Sequence, residues 1–316
     1  MIDFSVNPFG LAPMAGATDK AMRLTCRRFG CGLEVTEMVS AKALTYNNQK
    51  SFALFDLTGE EQPISVQLFG SEPAVMAEGA RIAVAHGAQM LDINMGCPVP
   101  KVAGHGEGSG LLRTPETAWA IVAAMRKAVE VPLSCKIRIG WETKDPHIDD
   151  FARGLEAAGA DFLAVHGRTR AQYYSGRADR SAIRQVVEAV DIPVLANGDA
   201  NDADSALSLM NETGAAGVLI GRGALGRPWI FAQCLAAYRG EPVPTEPERS
   251  ERAHILLDQA RLAVRDKGEY AAMRELRGVC GWYAHGLPGA AAFRRDAAQL
   301  STFADLAALL EKHGWI

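Results

Sequence analysis

The chain has 316 residues, a formal net charge of −4, 48% apolar residues and 22% charged residues. That length can bury a large core in one big domain or two, and the composition is that of a globular α/β enzyme. No apolar run reaches the roughly 18 residues of a membrane span, and the N-terminus carries no signal-peptide pattern.

Six cysteines, Cys26, Cys31, Cys97, Cys135, Cys234 and Cys280, form no CxxC pair and no His/Cys cluster of zinc spacing. A reduced, cytoplasmic protein without a metal site is therefore expected. The negative sum hides two basic stretches. Arg168, Arg170, Arg177, Arg180 and Arg184 surround Asp179, with Tyr173 and Tyr174 among them, and Arg274, Arg277, Arg294 and Arg295 face Glu275. Local basic patches on an acidic chain fit a polyanion held in one place, although solvated loop charge would look the same.

In chain order, β-branched runs at Phe9–Met14, Leu33–Met38, Pro63–Phe69, Met90–Met95, Pro132–Ile139, Asp161–His166, Pro193–Asn197 and Gly217–Gly221 alternate with helical segments such as Pro115–Val129, Asp149–Ala158 and Asp202–Asn211. Such alternation implies parallel strands with right-handed crossovers. Eight units predict a closed (β/α)8 TIM barrel over residues 1–240. A doubly wound sheet is the alternative, but no GxGxxG follows the first strand. A proline-rich linker, Arg239–Pro247, then leads to helices over Arg249–Lys267, Tyr270–His285, Gly289–Gln299 and Thr302–His313. Residues 245–316 are thus expected to be a small all-helical domain that packs beside the barrel.

The stretch Met90–Leu112 carries the most chemistry. A buried strand runs into Gly96-Cys97-Pro98 and a loop with four glycines between Gly104 and Gly110. This puts a thiol at the carboxyl end of a strand, where parallel sheets keep their active sites. Other strand ends supply an apolar turn at Pro13-Met14-Ala15, the amide of Gln67, the cations Lys136 and Arg138, and His166 with Arg168. They also supply Asn197-Gly198-Asp199 and Gly221-Arg222. Loops after the last two barrel strands commonly hold a phosphate. A phosphate cradle, an apolar floor and a lysine at a ring edge together fit FMN.

The segments LAPMAGATD, SVQLFG, DINMGCPVPKV, GSGLL, KIRIGW, VHGRTR, ANGD and GVLIGRGALGRPW resemble the tRNA-dihydrouridine synthases, in particular their bacterial DusB-like branch. The likeness runs through nearly the whole barrel and resumes at Met273–Gly289. It implies an FMN barrel followed by a helical RNA-binding domain, with NADPH reducing the flavin and the flavin reducing a uridine of tRNA to 5,6-dihydrouridine. It further implies that hydride reaches C6 while Cys97 delivers a proton to C5. An unperturbed thiol is protonated at neutral pH, which suits that role.

By the same resemblance Pro13, Met14, Ala15, Gln67, Lys136, His166, Asn197, Gly198, Asp199, Gly221 and Arg222 bind FMN. Asn94, through a bidentate amide, and Arg138 face the uracil. Arg168, Arg170, Arg274, Arg277, Arg294 and Arg295 are candidates for tRNA contact, and the uridine must be swung out of its stack. A monomer is expected. The loop Gly104-His105-Gly106-Glu107, Arg180 after Asp179, and Gly278-Val279 after Arg277 depart from the family pattern at positions that concern RNA rather than flavin. Rival readings are a flavin enzyme acting on a free pyrimidine, of the dihydroorotate dehydrogenase kind, and a non-catalytic protein that kept the barrel.

Overall fold

The computed structural model describes residues 2–316. Its strands are β1 (Phe9–Leu11), β2 (Leu33–Val35), β3 (Val39–Ser40), β4 (Ile64–Phe69), β5 (Leu91–Met95), β6 (Leu133–Arg138), β7 (Phe162–His166), β8 (Val194–Asn197) and β9 (Gly217–Ile220). All pairings are parallel, β1 joins both β2 and β9, and β2 joins β4, so the sheet closes on itself. Eight strands make the barrel, as the alternation predicted. The open doubly wound alternative is excluded.

β3 is an addition that the sequence reading ran together with β2. The ladder breaks after Val35 because the Gln67 backbone N–H donates to the Thr36 hydroxyl (3.0 Å) rather than to a backbone carbonyl. The chain rejoins the top of β4 at Val39, opposite Leu68. β1 likewise stops at Leu11, short of the expected Met14. Pro13 has no N–H to give, and the Met14 N–H goes to the Thr18 hydroxyl at 2.8 Å.

Helix boundaries follow local chemistry. Asp202 caps the Ala203–Thr213 helix through Ser205, and Gly214 ends it at φ 71°. The outer faces of the strands and the inner faces of the helices bury Leu11, Ile93, Ile137, Val165 and Phe231 in one core. Inside the barrel, Phe4, Leu33, Met90 and Phe162 plug the amino-terminal end. The opposite end stays open, and the site lies there.

Helices at Arg249–Lys267, Glu269–Tyr283, Ala290–Ala297 and Phe303–Lys312 form the C-terminal region. Their shared core of Leu256, Met273, Leu276, Phe293 and Leu310 includes Trp229 from the barrel side. Glu246 pins the linker by accepting from Trp229 Nε1 (3.0 Å) and Arg252 Nη2 (2.9 Å) and by pairing with Arg227. Ala21 on the Lys20–Arg28 helix packs against Leu262, Ala263 and Ala272. Lys267 then reaches Asp19 at 2.6 Å. The helices are therefore docked on the barrel.

Candidate active site

Register explains which side chains meet. Gln67, Asp92 and Ser134 lie opposite one another on β4, β5 and β6, and Asn94 lies opposite Lys136 one layer higher. Arg138, His166 and Asn197 form the next layer on β6, β7 and β8. Neighbours in register point to the same face. Gln67, Asn94, Lys136, Arg138, His166 and Asn197 line a cavity of about 380 Å³ at the carboxyl ends of the strands, with Asp92 and Ser134 buried beneath it. The volume is in the range of small-molecule sites.

One side of the cavity is polar and tightly wired. The Ser134 hydroxyl donates to Asp92 Oδ1 (2.5 Å), and Gln67 Nε2 donates to Asp92 Oδ2 (2.7 Å). Asn94 Nδ2 donates to Gln67 Oε1 (2.8 Å), and Asn94 Oδ1 accepts the N–H groups of Gly96 (3.2 Å) and Cys97 (2.9 Å). A carboxylate only accepts, so it dictates which way each amide faces. The chain of bonds thus runs from a buried acid to the turn that holds the thiol. Burial lifts the Asp92 carboxyl to about 6, against the bonds from Ser134 and Gln67 and the charge of Lys136.

Cys97 sits half-buried on that turn, whereas the other five cysteines are buried free thiols. Its carbonyl accepts from Ser109 N (3.1 Å) and Ser109 Oγ (2.8 Å), so the glycine loop folds back over it. Gly108 makes this possible: it has φ 55°, and a Cβ there would lie 3.0 Å from that of Cys97. Burial pushes the thiol up, opposed by the Val99 N–H and the charge of Arg138. The proton therefore stays on sulfur at neutral pH.

Cations crowd the same mouth. Lys136 Nζ reaches across to Asn197 Oδ1 at 3.0 Å. Burial and Arg138 lower its ammonium to about 8, against the attraction of Asp92. Burial, then Lys136, Arg138, Arg168 and Arg222, hold His166 well below the usual imidazole range. It is neutral, and the 3.4 Å approach of Arg168 Nη1 makes Nε2 its acceptor. Asp199 has left-handed backbone (φ 55°), binds Arg168 Nη2 through both oxygens (2.6 and 2.8 Å), and lies 3.4 Å from Arg222.

The facing wall is apolar. Ala12, Pro13, Met14 and Leu219 line it, and Gly221 turns its bare Cα toward Met14 Sδ and Ala12. Gly198 has φ 131° and lies so near Ala178 that a Cβ would come within 2.7 Å. No larger residue fits there. The site is therefore a slot, with a flat apolar side, hydrogen-bond donors opposite, a thiol at one edge and an exposed guanidinium, Arg222, at another.

A family model for dihydrouridine synthases matches residues 10–313. The chain belongs to the dihydrouridine synthase family. It is 43% identical over 284 residues to the tRNA-dihydrouridine synthase B of Xanthomonas axonopodis pv. citri (strain 306), covering 90% of this chain and 86% of that one. It is 43% identical over 273 residues to a probable tRNA-dihydrouridine synthase of Rhizobium leguminosarum bv. phaseoli, covering 86% and 84%. Among solved structures, a 2-naphthoyl-CoA reductase complex shares the fold at TM-score 0.56 and 11% identity, over 75% of this chain and 50% of that chain.

Several residues expected to touch substrate have other duties in this family member. Arg168 is fully buried and spends its guanidinium on the carbonyls of Ser175 (3.0 Å) and Gly176 (2.7 Å), on Asp199 and on His166. It braces the loop after β7 where it lines the cavity, with its guanidinium engaged on these partners. Both ends of the Asn94 amide are engaged as described, which leaves one donor hydrogen where a bidentate contact was expected.

Arg138 lines the cavity but binds the carbonyls of Gly96, Thr169 and Tyr173, each at 2.8 Å, so only its Nη2 edge is open. Arg277 is tied to the Leu300 carbonyl (2.9 and 2.7 Å) as a brace between helices. Arg274, Arg294 and Arg295 are exposed, Arg274 stacking on Tyr270. Ala15 stands on the cavity rim.

Other residues of the site escaped the sequence reading. Asp92 looks like one polar interruption of a buried strand, and only register reveals its role. Ser109 and Thr36 act through single hydroxyls. Tyr174 is the fourth. The residue is 48% exposed and lines the cavity, its ring with Arg222 at 5.0 Å and Arg138 at 5.8 Å, and the neighbouring arginines in sequence were its only signal.

Proposed function

We propose that this chain is an FMN-dependent, NADPH-driven tRNA-dihydrouridine synthase that reduces a specific uridine of tRNA to 5,6-dihydrouridine, with Cys97 giving the proton to C5. The observation that carries this reading is the position of Cys97. Among the six cysteines it is the one that lines the cavity, and it does so on a turn wired to a buried acid. Membership of the family supports the flavin. The slot fits it independently, because a bare apolar wall faces a row of N–H donors.

Pro13, Met14, Ala15 and Gly221 would lie against the flat face of FMN, with Gln67, Lys136 and His166 at its edge. Asn197, Gly198, Asp199 and Arg222 would gather at its phosphate end. Asp199 contributes there by orienting Arg168 and Arg222, its own charge being spent on them. When bound, FMN supplies hydride chemistry. Every other element belongs to the chain. Lys136 carries a positive charge at neutral pH where negative charge gathers on a reduced ring. Tyr174 offers a face on which an everted base can stack. Asn94 and Arg138 each keep one donor edge for the uracil, and Cys97 holds the transferable proton.

Residues 1–240 would then be the catalytic barrel and residues 245–316 a tRNA-binding domain of a monomeric, cytoplasmic enzyme. Incubating the purified protein with unmodified tRNA and NADPH, followed by mass mapping of the RNA, tests the reading. A 2 Da gain at one uridine is expected from the two added hydrogens. An enzyme that reduces a free pyrimidine and leaves tRNA unchanged would replace this reading with the dihydroorotate-dehydrogenase-like one.

A further inference from the structure

Two arginines outside the cavity stack on one tryptophan. The Arg113 guanidinium lies 5.2 Å and that of Arg170 4.7 Å from the Trp141 ring centroid, and Arg170 is also 5.8 Å from the ring of Tyr173. Neither forms an ion pair among the described residues, whereas Arg168 pairs with Asp199 and Arg180 with Glu212. Arg170 Nε is buried without a hydrogen-bond partner. In a chain of net charge −4, two neighbouring cations without a counter-ion need an explanation.

The backbone shows that the arrangement is built. Arg170 N donates to Gly140 O and Ala171 N to Trp141 O, both at 2.9 Å, which stitches the loops after β6 and β7 together. Asp145 N closes the Trp141 loop on Ile139 O at 2.8 Å, and Gly140 permits the tight turn, since a Cβ there would meet the Thr143 carbonyl at 2.0 Å. Arg113 ends the Gly108–Arg113 turn that folds over Cys97. Tyr173 lines the cavity, while Arg113, Trp141 and Arg170 stand beyond its edge. The stack thus borders the mouth on the side of the thiol.

A guanidinium stacked by its face keeps its edge N–H groups for an anion, and phosphate oxygens match that fork. Stacking also fixes the side chains beforehand, which lowers the entropy lost on binding. We propose that Arg113, Trp141 and Arg170 form a binding site for the RNA phosphate backbone that flanks the pyrimidine entering the cavity. The inference rests on tRNA being the substrate.

The test is binding of a labelled tRNA transcript at several salt concentrations to the wild type, the R113Q/R170Q double variant and W141F. Bound-flavin absorbance serves as the check of folding. For the double variant, affinity should fall about tenfold or more. The slope of log K against log salt should flatten by about 1.4, from two phosphate contacts of about 0.7 each. W141F keeps an aromatic face and should stay within about threefold of wild type. A wild type that binds tRNA alongside a double variant of equal affinity and slope overturns this site and leaves the proposed function standing. A wild type without tRNA affinity removes both. Loss of poly-glutamate binding in the double variant, with tRNA binding intact, would overturn the site in favour of an acidic protein partner.

Discussion

Charges at the barrel mouth and charges on the C-terminal helices live under opposite regimes. In the mouth, burial drives groups toward neutrality: Lys136 falls to about 8 and Asp92 rises to about 6. In the helical region the carboxylate of Asp296 is held low by Lys312 and His313. Lys267 is raised by Asp19 and Glu275 against the pull of burial. The helices keep charges that favour folding. The mouth keeps two charges that folding resists, Lys136 and Asp92, beside an Asp199 held low, against burial, by the Ala178 N–H and Arg168. Charges kept where folding resists them mark groups retained for chemistry.

The largest effect that sharpens this contrast is expected at Cys97. Cys97→Ala removes the proton donor and leaves the apolar wall and the cations untouched. Flavin absorbance should persist, while dihydrouridine formation falls by about 10²–10⁴-fold, the usual worth of a positioned acid. Turnover within a few-fold of wild type would assign the proton to another group. Because burial raises the thiol, the acid limb should hold from neutral pH to beyond the ordinary thiol range and fail only at higher pH.

Lys136→Met should move function and stability in opposite directions. The folded state prefers the neutral amine, whose ordinary value is 10.5 and whose value here is about 8. The stability this contributes is present above 10.5 and lost as pH falls through about 8. At pH 7 the charged amine therefore costs about 3 kcal/mol at most. The flavin-free variant should melt higher than the flavin-free wild type at pH 7, and the gap should close as pH approaches 10. It should also bind flavin more weakly. A variant that melts lower at pH 7 would mean that the Asn197 contact outweighs desolvation, and the contrast between the regions would fail.

How much of this was legible beforehand varies by element. The strands of the barrel were readable because β-branched runs are bounded by Pro and Gly, and the helix starts because Asp202 and Thr302 are capping residues, whereas the Ala203–Thr213 helix runs past the expected Asn211 to its Gly214 cap. The thiol was readable from its neighbours Gly96 and Pro98. Arg168 and Arg170 were not separable by sequence: two residues apart, one is buried on carbonyls and the other stacks at the rim. Counting charges cannot distinguish them, since the difference lies in which loop carbonyls reach each guanidinium. Asp92 was hidden for a related reason. Its partners come from β4 and β6, and only the register of the sheet brings them together.

A middle-sized effect is expected from Asp92→Asn. The amide has one accepting end, so either Ser134 or Gln67 meets a donor. If Gln67 flips, Asn94 must follow, and the Gly96 and Cys97 N–H groups lose their acceptor. The carboxyl, ordinarily at 3.8, titrates at about 6 in the fold, so the stability it contributes is present below 3.8 and lost as pH rises through 6. Replacing it should leave melting at pH 7.5 equal or higher, while dihydrouridine formation drops about tenfold at saturating tRNA with affinity for tRNA unchanged. A variant that loses stability and tRNA affinity together would make Asp92 a plain core residue.

The smallest effect is expected on the helices. Arg274, Arg294 and Arg295 are exposed, and the Arg295 contact with Asp296 is a loose 3.6 Å. Exposed arginines act on a polyanion over a distance, so R274Q/R294Q/R295Q should leave melting and bound flavin unchanged. The affinity for tRNA should weaken by a few-fold at low salt, and the difference should vanish near 0.5 M salt, where the Debye length is only about 4 Å. Arg277 is the internal control. Its bonds to the Leu300 carbonyl make R277Q a stability variant, expected to lose about 1–2 kcal/mol with little salt-dependent change in RNA binding. If R277Q instead reproduced the salt-sensitive loss of the triple variant, the helical surface would bind RNA through the same carbonyl-braced arginines that build the barrel mouth, and the two regions would not differ in kind.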